Sequence, residues 1–152
     1  MDGYRAVRLF HLLEDPAPTI AEVRRVLRPG GRIVVGGQDY GFLMIDSSDQ
    51  DLTDVVLLGI ESRTVSPRAT RGLRNTLLDA KFRDVEVVVH TEVVTDHELL
   101  GPQLKAAASA AVDKALITQN DADSWLAEQA ARGHRDRFLA AIPTILVAAN
   151  AA

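Results

Sequence analysis

Apolar and polar residues alternate along this chain with two different periods, and the switches between them mark its elements. Tyr4 to Leu13 is apolar, interrupted by Arg5 and Arg8, and reads as a short strand running into a turn at Glu14-Asp15-Pro16. Pro16 and Pro18 exclude a helix interior there. Thr19, with Glu22 three residues later, reads as a capping box, and Ile20, Val23, Val26 and Leu27 follow at helical spacing. Pro29-Gly30-Gly31 ends that helix. Ile33, Val34 and Val35 then form an unbroken β-branched run, suited to a strand buried on both faces. Strand, helix, turn and strand make a βαβ unit.

Downstream, Leu52, Val55, Val56 and Ile60 predict a second amphipathic helix. Leu73, Leu77 and Leu78 predict a third, with Ser66 and Pro67 as cap and first-turn residue. Val85, Val87, Val89 and Val93 alternate with Glu86, His90 and Glu92, which predicts a strand with one wetter face. Thr95 and Glu98 read as another capping box, for a helix with Leu100, Leu104, Ala107, Ala111 and Val112 on one face. Thr118 and Asn120 offer caps for a helix through Trp125 and Leu126. Ile142 to Ala149 reads as a closing strand with Pro143 near its start or on an edge. The order β-α-β-α-α-β-α-α-β predicts an α/β layered fold in a single domain over residues 1–152.

Composition narrows the function classes. The 152 residues are 47% hydrophobic and 25% charged, a folded rather than a disordered mixture. The net charge of −4 argues against a nucleic-acid partner. The chain has no cysteine, which excludes disulfides, thiolate metal sites and a Cys nucleophile. No apolar run reaches the roughly 20 residues of a membrane span, and the charged start does not read as a secretory signal, so the expectation is a cytoplasmic protein.

No HExxH, GxSxG, Walker or GxGxxG pattern occurs, and His11, His90, His97 and His134 lack metal-ligand spacing, so no metal is expected. Ligand sites in open α/β sheets form beyond the carboxyl ends of strands. That places His11, after the first strand, as a candidate general base, or else as a turn histidine. Asp39 and Tyr40 follow the strand from Arg32 to Gly37. Asp39 could accept a substrate hydrogen bond or proton, or be a turn residue in an acidic loop with Asp46, Asp49 and Asp51. His90 reads as solvated decoration and Trp125 as core. Arg71 and Arg74, at helical spacing, read as a solvated face rather than an anion site.

The stretch DGYRAVRLFHLLEDPAPTIAEVRRVLRPGGRIVV resembles the middle of class I S-adenosylmethionine-dependent methyltransferases. The family pattern is an Asp, an apolar strand, Asp-Pro, a helix and Arg-Val-Leu-Lys/Arg-Pro-Gly-Gly before the next strand. Asp2, Asp15, Pro16, Arg25, Val26, Leu27, Arg28, Pro29, Gly30 and Gly31 match it. QDYG after the second strand resembles the family's acidic-aromatic segment. LLDAKFRDVEVV resembles its L-x-x-A-G-F-x-x-V lead into the sixth strand, with Lys81 where Gly is usual.

The resemblance implies the second half of a Rossmann-like methyltransferase sheet, about four strands with the last antiparallel, under several covering helices. It implies substrate-cap insertions at residues 41–64 and 96–133, and S-adenosylmethionine as cofactor. Ala6 and Arg8 would border the cofactor, His11 and Asp39 would be catalytic, and Tyr40 would meet a small-molecule substrate. The family's first strand with its Gly-rich loop has no counterpart here, which implies a chain without autonomous cofactor binding. The first strand would then be an open edge, filled by a homodimer or a complementary subunit. The alternative is a non-catalytic remnant serving as a binding or dimerisation module.

Overall fold

The computed structural model describes residues 1–152. In chain order it contains β1 (Gly3–Val7), α1 (Ala17–Val26), β2 (Arg32–Gln38), β3 (Met44–Ile45), α2 (Gln50–Glu61), α3 (Ala69–Asp79), β4 (Phe82–Val94), α4 (His97–Asp113), α5 (Gln119–His134) and β5 (Ala140–Ala151). Short 3-10 turns occupy Phe10–Leu12 and Tyr40–Phe42. The fold is α/β, with the brief β3 added to the expected strands. Residues group into two compact units: Met1–Asp39, Val65–His90 and Pro143–Ala152 in the first, Tyr40–Thr64 and Thr91–Ile142 in the second. No helix is long and apolar enough to cross a membrane.

In the first unit β1 runs parallel to β2, from Gly3 opposite Arg32 to Val7 opposite Gly36. On its other side β2 runs antiparallel to β5, from Arg32 opposite Asn150 to Gln38 opposite Thr144. β4 pairs with β5, and β1 stands at the edge of the sheet. One face of this sheet is sealed. Ile33, Val35, Val147 and Ala149 pack with Ile20 and Val23 of α1 and with Leu73 and Leu77 of α3. Burying each large aliphatic side chain there contributes roughly 1.5–3 kcal/mol. The opposite face is not sealed: Val34, Leu146 and Ala148 are only half-buried, so β2 is not the doubly buried strand its β-branched run suggests.

Several element ends differ from the sequence reading, each for a local reason. α1 starts at Ala17, so Thr19 lies inside its first turn, and the Ala17 N–H donates to Asp15 Oδ1 at 2.8 Å instead. Pro18 is tolerated there because early helical N–H groups have no intrahelical acceptor. Glu22 pairs with Arg25 at 2.7 Å instead of closing a capping box. The helix ends because Leu27 turns extended, ahead of the glycines. Pro29 and Gly30 then form a type II turn, with Gly30 at φ 75 and the Gly31 N–H donating to the Arg28 carbonyl at 2.8 Å. α3 starts after Arg68, and Ser66 is not its cap; the Ser66 carbonyl accepts from the Ala69 N–H at 3.1 Å. β4 has no buried face through its middle: Val87, Val88, Val89 and Val93 are all exposed. Its period-two pattern reports pleat, and only packing decides burial. β5 begins at Ala140, and Pro143 sits inside it, where its carbonyl accepts from the Asp39 N–H at 3.0 Å.

In the second unit, Val56 of α2, Leu104, Ala107 and Ala108 of α4, and Ala122 and Trp125 of α5 form a separate core. A Cβ on Gly59 would lie 2.1 Å from the Ala107 carbonyl oxygen, so α2 and α4 approach at a distance only glycine allows. Trp125 is core, as its helical position suggests. Its Nε1 donates to Thr53 Oγ1 at 2.8 Å, and that hydroxyl donates to the Asp49 carbonyl at 2.8 Å. α4 is capped by Asp96, whose Oδ1 accepts from the Glu98 N–H at 2.9 Å, and the expected Thr95 box is absent. Thr118 does cap α5, in a box closed by Asp121. β3 pairs antiparallel with the start of β5, Met44 opposite Ala141.

Lys81 adopts φ 63 at the end of α3, with its N–H on the Leu78 carbonyl at 3.0 Å. A side chain in this left-handed conformation is strained, whereas glycine is not. Lys81→Gly is therefore expected to stabilise the protein by about 1 kcal/mol. Urea unfolding midpoints of Lys81→Gly and Lys81→Ala check this, and a gain in the alanine variant as large as in the glycine variant would exclude backbone strain as the cause.

Candidate functional site

Because β1 and β2 are parallel, their carboxyl ends open on the same rim of the first unit. The Arg8 N–H donates to the Gly36 carbonyl at 2.9 Å and extends the ladder one residue past β1. Arg8 itself turns to φ 65, which directs the chain into the 3-10 turn carrying His11. Phe10 anchors that turn in the core. The His11 carbonyl accepts from the Ser66 N–H at 2.9 Å, tying the turn to the segment ahead of α3.

The His11 side chain is half-buried. Burial, and secondarily the Arg8 cation, hold its imidazole pKa below the ordinary histidine value. It is neutral near pH 7 and able to accept a proton. Ala6, opposite Val35, is half-buried on β1. Tyr40 is half-buried and opens the 3-10 turn of the second unit.

Asp39 is fully buried at the end of β2. Arg71 grips it with both prongs of its guanidinium: Nε reaches Oδ2 at 2.5 Å and the terminal nitrogen reaches Oδ1 at 2.9 Å. The Arg71 side chain is 36% exposed, so the pair runs from the protein interior to the rim. This corrects the sequence reading of Arg71 as a solvated face. The available signal was chemical: a carboxylate at the end of a buried strand needs a bidentate partner, and Arg71 lies on the first turn of the helix that packs there. Thr70, next to it, is buried, and its hydroxyl has no hydrogen-bond partner. His90 is exposed on β4, as expected of a solvated residue. No group of three or more His, Cys, Asp or Glu residues is arranged to hold a metal ion.

Along the edge strand, Met1, Tyr4, Pro18, Thr19, Val23 and Val26 line a largely apolar cavity of about 510 Å³. Its lining comes from β1 with Met1 ahead of it and from α1, and β1 is the edge strand of the sheet.

Residues 1–35 match the family described as methyltransferase domain. An uncharacterised 37.1 kDa protein of transposon TN4556 from Streptomyces fradiae is 35% identical over 158 residues, which cover 99% of this chain and 44% of that protein. The chain thus spans less than half the length of this curated relative. A putative methyltransferase from Bacillus halodurans C-125 superposes with a TM-score of 0.49 at 13% identity, over 98% of this chain and 68% of that one. Phosphoethanolamine N-methyltransferase 2 of Haemonchus contortus, in complex with S-adenosyl-L-methionine, superposes with a TM-score of 0.46 at 15% identity, over 99% of this chain and 33% of that one.

Two outcomes follow from the rim. Arg71→Met removes the bidentate cation from the buried Asp39 carboxylate and is expected to cost about 3 kcal/mol, most of which the double variant Asp39→Asn/Arg71→Met recovers. Additive losses in that cycle, measured by urea unfolding, would show that the two side chains are not coupled. For His11, the folded pKa lies below the unfolded one, so the unfolded chain binds the proton first as pH falls. Stability from this group is complete above the unfolded pKa, near 6.5, and is lost as pH drops below it. Melting temperature should therefore fall more steeply between neutral and mildly acid pH in the native protein than in His11→Gln; parallel curves would contradict it.

Proposed function

We propose that this chain, whose residues 1–35 carry the sequence of the methyltransferase-domain family, is the portion of an S-adenosylmethionine-dependent methyltransferase that supplies the strand-end rim and the substrate cover. The observation that carries this reading is the edge position of β1 beside an open apolar cavity, in a sheet sealed on one face only. Doubly wound α/β sheets bury both faces and leave no long apolar edge unpaired. Further polypeptide along β1, from a complementary subunit or from a second copy, would complete the fold.

The residues present do not by themselves fit the cofactor. Ribose hydroxyls in such folds are met by a free acidic side chain. The buried carboxylate at this rim, Asp39, is occupied by Arg71. In our reading Ala6 and Arg8 border the cofactor once the sheet is completed, and His11 accepts a proton from a small-molecule nucleophile. Asp39 acts at the rim through Arg71, and Tyr40 meets the substrate. Positioning would supply most of the rate and His11 a smaller share. The occupied Asp39 also favours a second reading, a non-catalytic binding or dimerisation module.

Calorimetric titration with S-adenosylmethionine separates the two. The chain alone should give flat heats, and the chain co-expressed with the remainder of the Streptomyces fradiae relative should give a saturable isotherm. Flat heats from an assembled complex would overturn the enzymatic reading in favour of the module. Saturable binding by the chain alone would overturn its incompleteness.

A further inference from the structure

The second unit contains a basic cavity that the strand-end reading does not use. α5 ends in a Schellman turn: the Asp136 N–H donates to the Gly133 carbonyl at 3.1 Å and the Arg137 N–H to the Arg132 carbonyl at 2.8 Å. Asp136 takes the left-handed conformation at φ 53 that this turn requires. The reversal satisfies the terminal carbonyls and brings Arg132, Arg135 and Arg137 around one cavity of about 340 Å³, together with Ser48 and Glu128. That volume falls within the roughly 300–1,000 Å³ of small-molecule sites.

The three arginines differ in their partners. Arg132 is fixed, with Nε on Glu128 Oε1 at 2.7 Å and a terminal nitrogen on Asp46 Oδ2 at 2.5 Å. Glu128 is held in turn by the Ser48 N–H at 2.8 Å and the Ser48 hydroxyl at 2.7 Å. Burial pushes the Glu128 pKa up, but these hydrogen bonds from Ser48 and Arg132 outweigh it and keep the carboxylate below its ordinary range. Arg135 and Arg137 are exposed at the cavity and have no carboxylate partner. Asp136, between them in the chain, lines a different cavity with His97 and His134. A rigid wall of Arg132, Glu128 and Ser48 therefore faces two guanidinium groups with free donors.

We propose that this cavity binds a small phosphomonoester, with Arg135 and Arg137 gripping the phosphate dianion and the remainder of the molecule lying toward Ser48. Planar guanidinium forks match phosphate oxygens in pairs, and two of them meet a dianion better than one lysine-like point charge. The cavity is concave and the whole chain carries a net charge of −4, which disfavours a nucleic-acid backbone as the source of the phosphate.

The test uses the full chain at low ionic strength, titrated with glycerol phosphate and with inorganic phosphate, read by phosphorus NMR. Saturable binding of both is expected, weakened about tenfold or more in Arg135→Gln/Arg137→Gln. Arg63→Gln/Arg74→Gln, which removes the same charge elsewhere, should bind as the native protein does. Arg135→Lys/Arg137→Lys should fall between, because it keeps charge and loses the forks. Equal weakening in both glutamine pairs would reduce the effect to net charge and overturn the site, as would the absence of saturation. A further arm uses phosphatidylcholine vesicles containing phosphatidic acid. Binding to the vesicles without binding to glycerol phosphate would overturn the small-molecule source.

Discussion

Every residue of β2 from Arg32 to Gln38 has a partner on β5, and the first five also have one on β1. This double pairing is the constraint from which the first unit is built. A strand with two occupied edges cannot slip in register without breaking both ladders, and a slip of one residue would turn Ile33 and Val35 out of the core. Their burial locates α1 and α3, because Ile20, Val23, Leu73 and Leu77 must cover that face. The pairing also brings two strand ends together. With β1 and β2 locked in parallel, the residues just past their ends, Arg8 and Asp39, emerge at one rim.

The charged groups that matter in this protein are those held away from water, and each unit handles them differently. In the first, Asp39 is wholly buried and is gripped by a bidentate arginine. Removing one partner of such a pair is costly, although the intact pair contributes little net stability. In the second, Glu128, Arg132, Asp46 and Ser48 share their hydrogen bonds in a chain. That network immobilises one guanidinium and leaves Arg135 and Arg137 to solvent. The first arrangement spends a carboxylate that chemistry could have used, and the second leaves cations available to a ligand.

Backbone conformation links the sequence to both arrangements. Arg8, Lys81 and Asp136 all have positive φ, at 65, 63 and 53, and all sit where the chain leaves a regular element. Arg8 directs the chain toward His11, Lys81 turns α3 into β4, and Asp136 gathers the arginines of α5. Lys81 stands where the resembling family usually carries glycine. The left-handed turn is therefore retained here by surrounding packing despite its strain, since the local residue does not favour it.

The sequence by itself determined the α/β order, the helices' apolar faces, the strand that forms β2 and the core role of Trp125, because these follow from periodicity and β-branched runs. Caps were legible only to within one to three residues. Thr118 was found, whereas Thr19 and Thr95 sit beside starts made by other residues, since several polar side chains near a helix end compete for the same N–H groups. Tertiary structure alone decided what lies beneath or beside each element. β4 shows the strand alternation yet is exposed on both faces through its middle. Arg71 lies at the spacing of a solvated helix face yet grips Asp39 from a helix thirty residues further along the chain. Arg135 and Arg137 carry no sequence signal beyond their charge until the turn at Asp136 closes. The physical reason is common to all three: periodicity records which residues share a face, but burial and ion pairing depend on what distant chain packs against it.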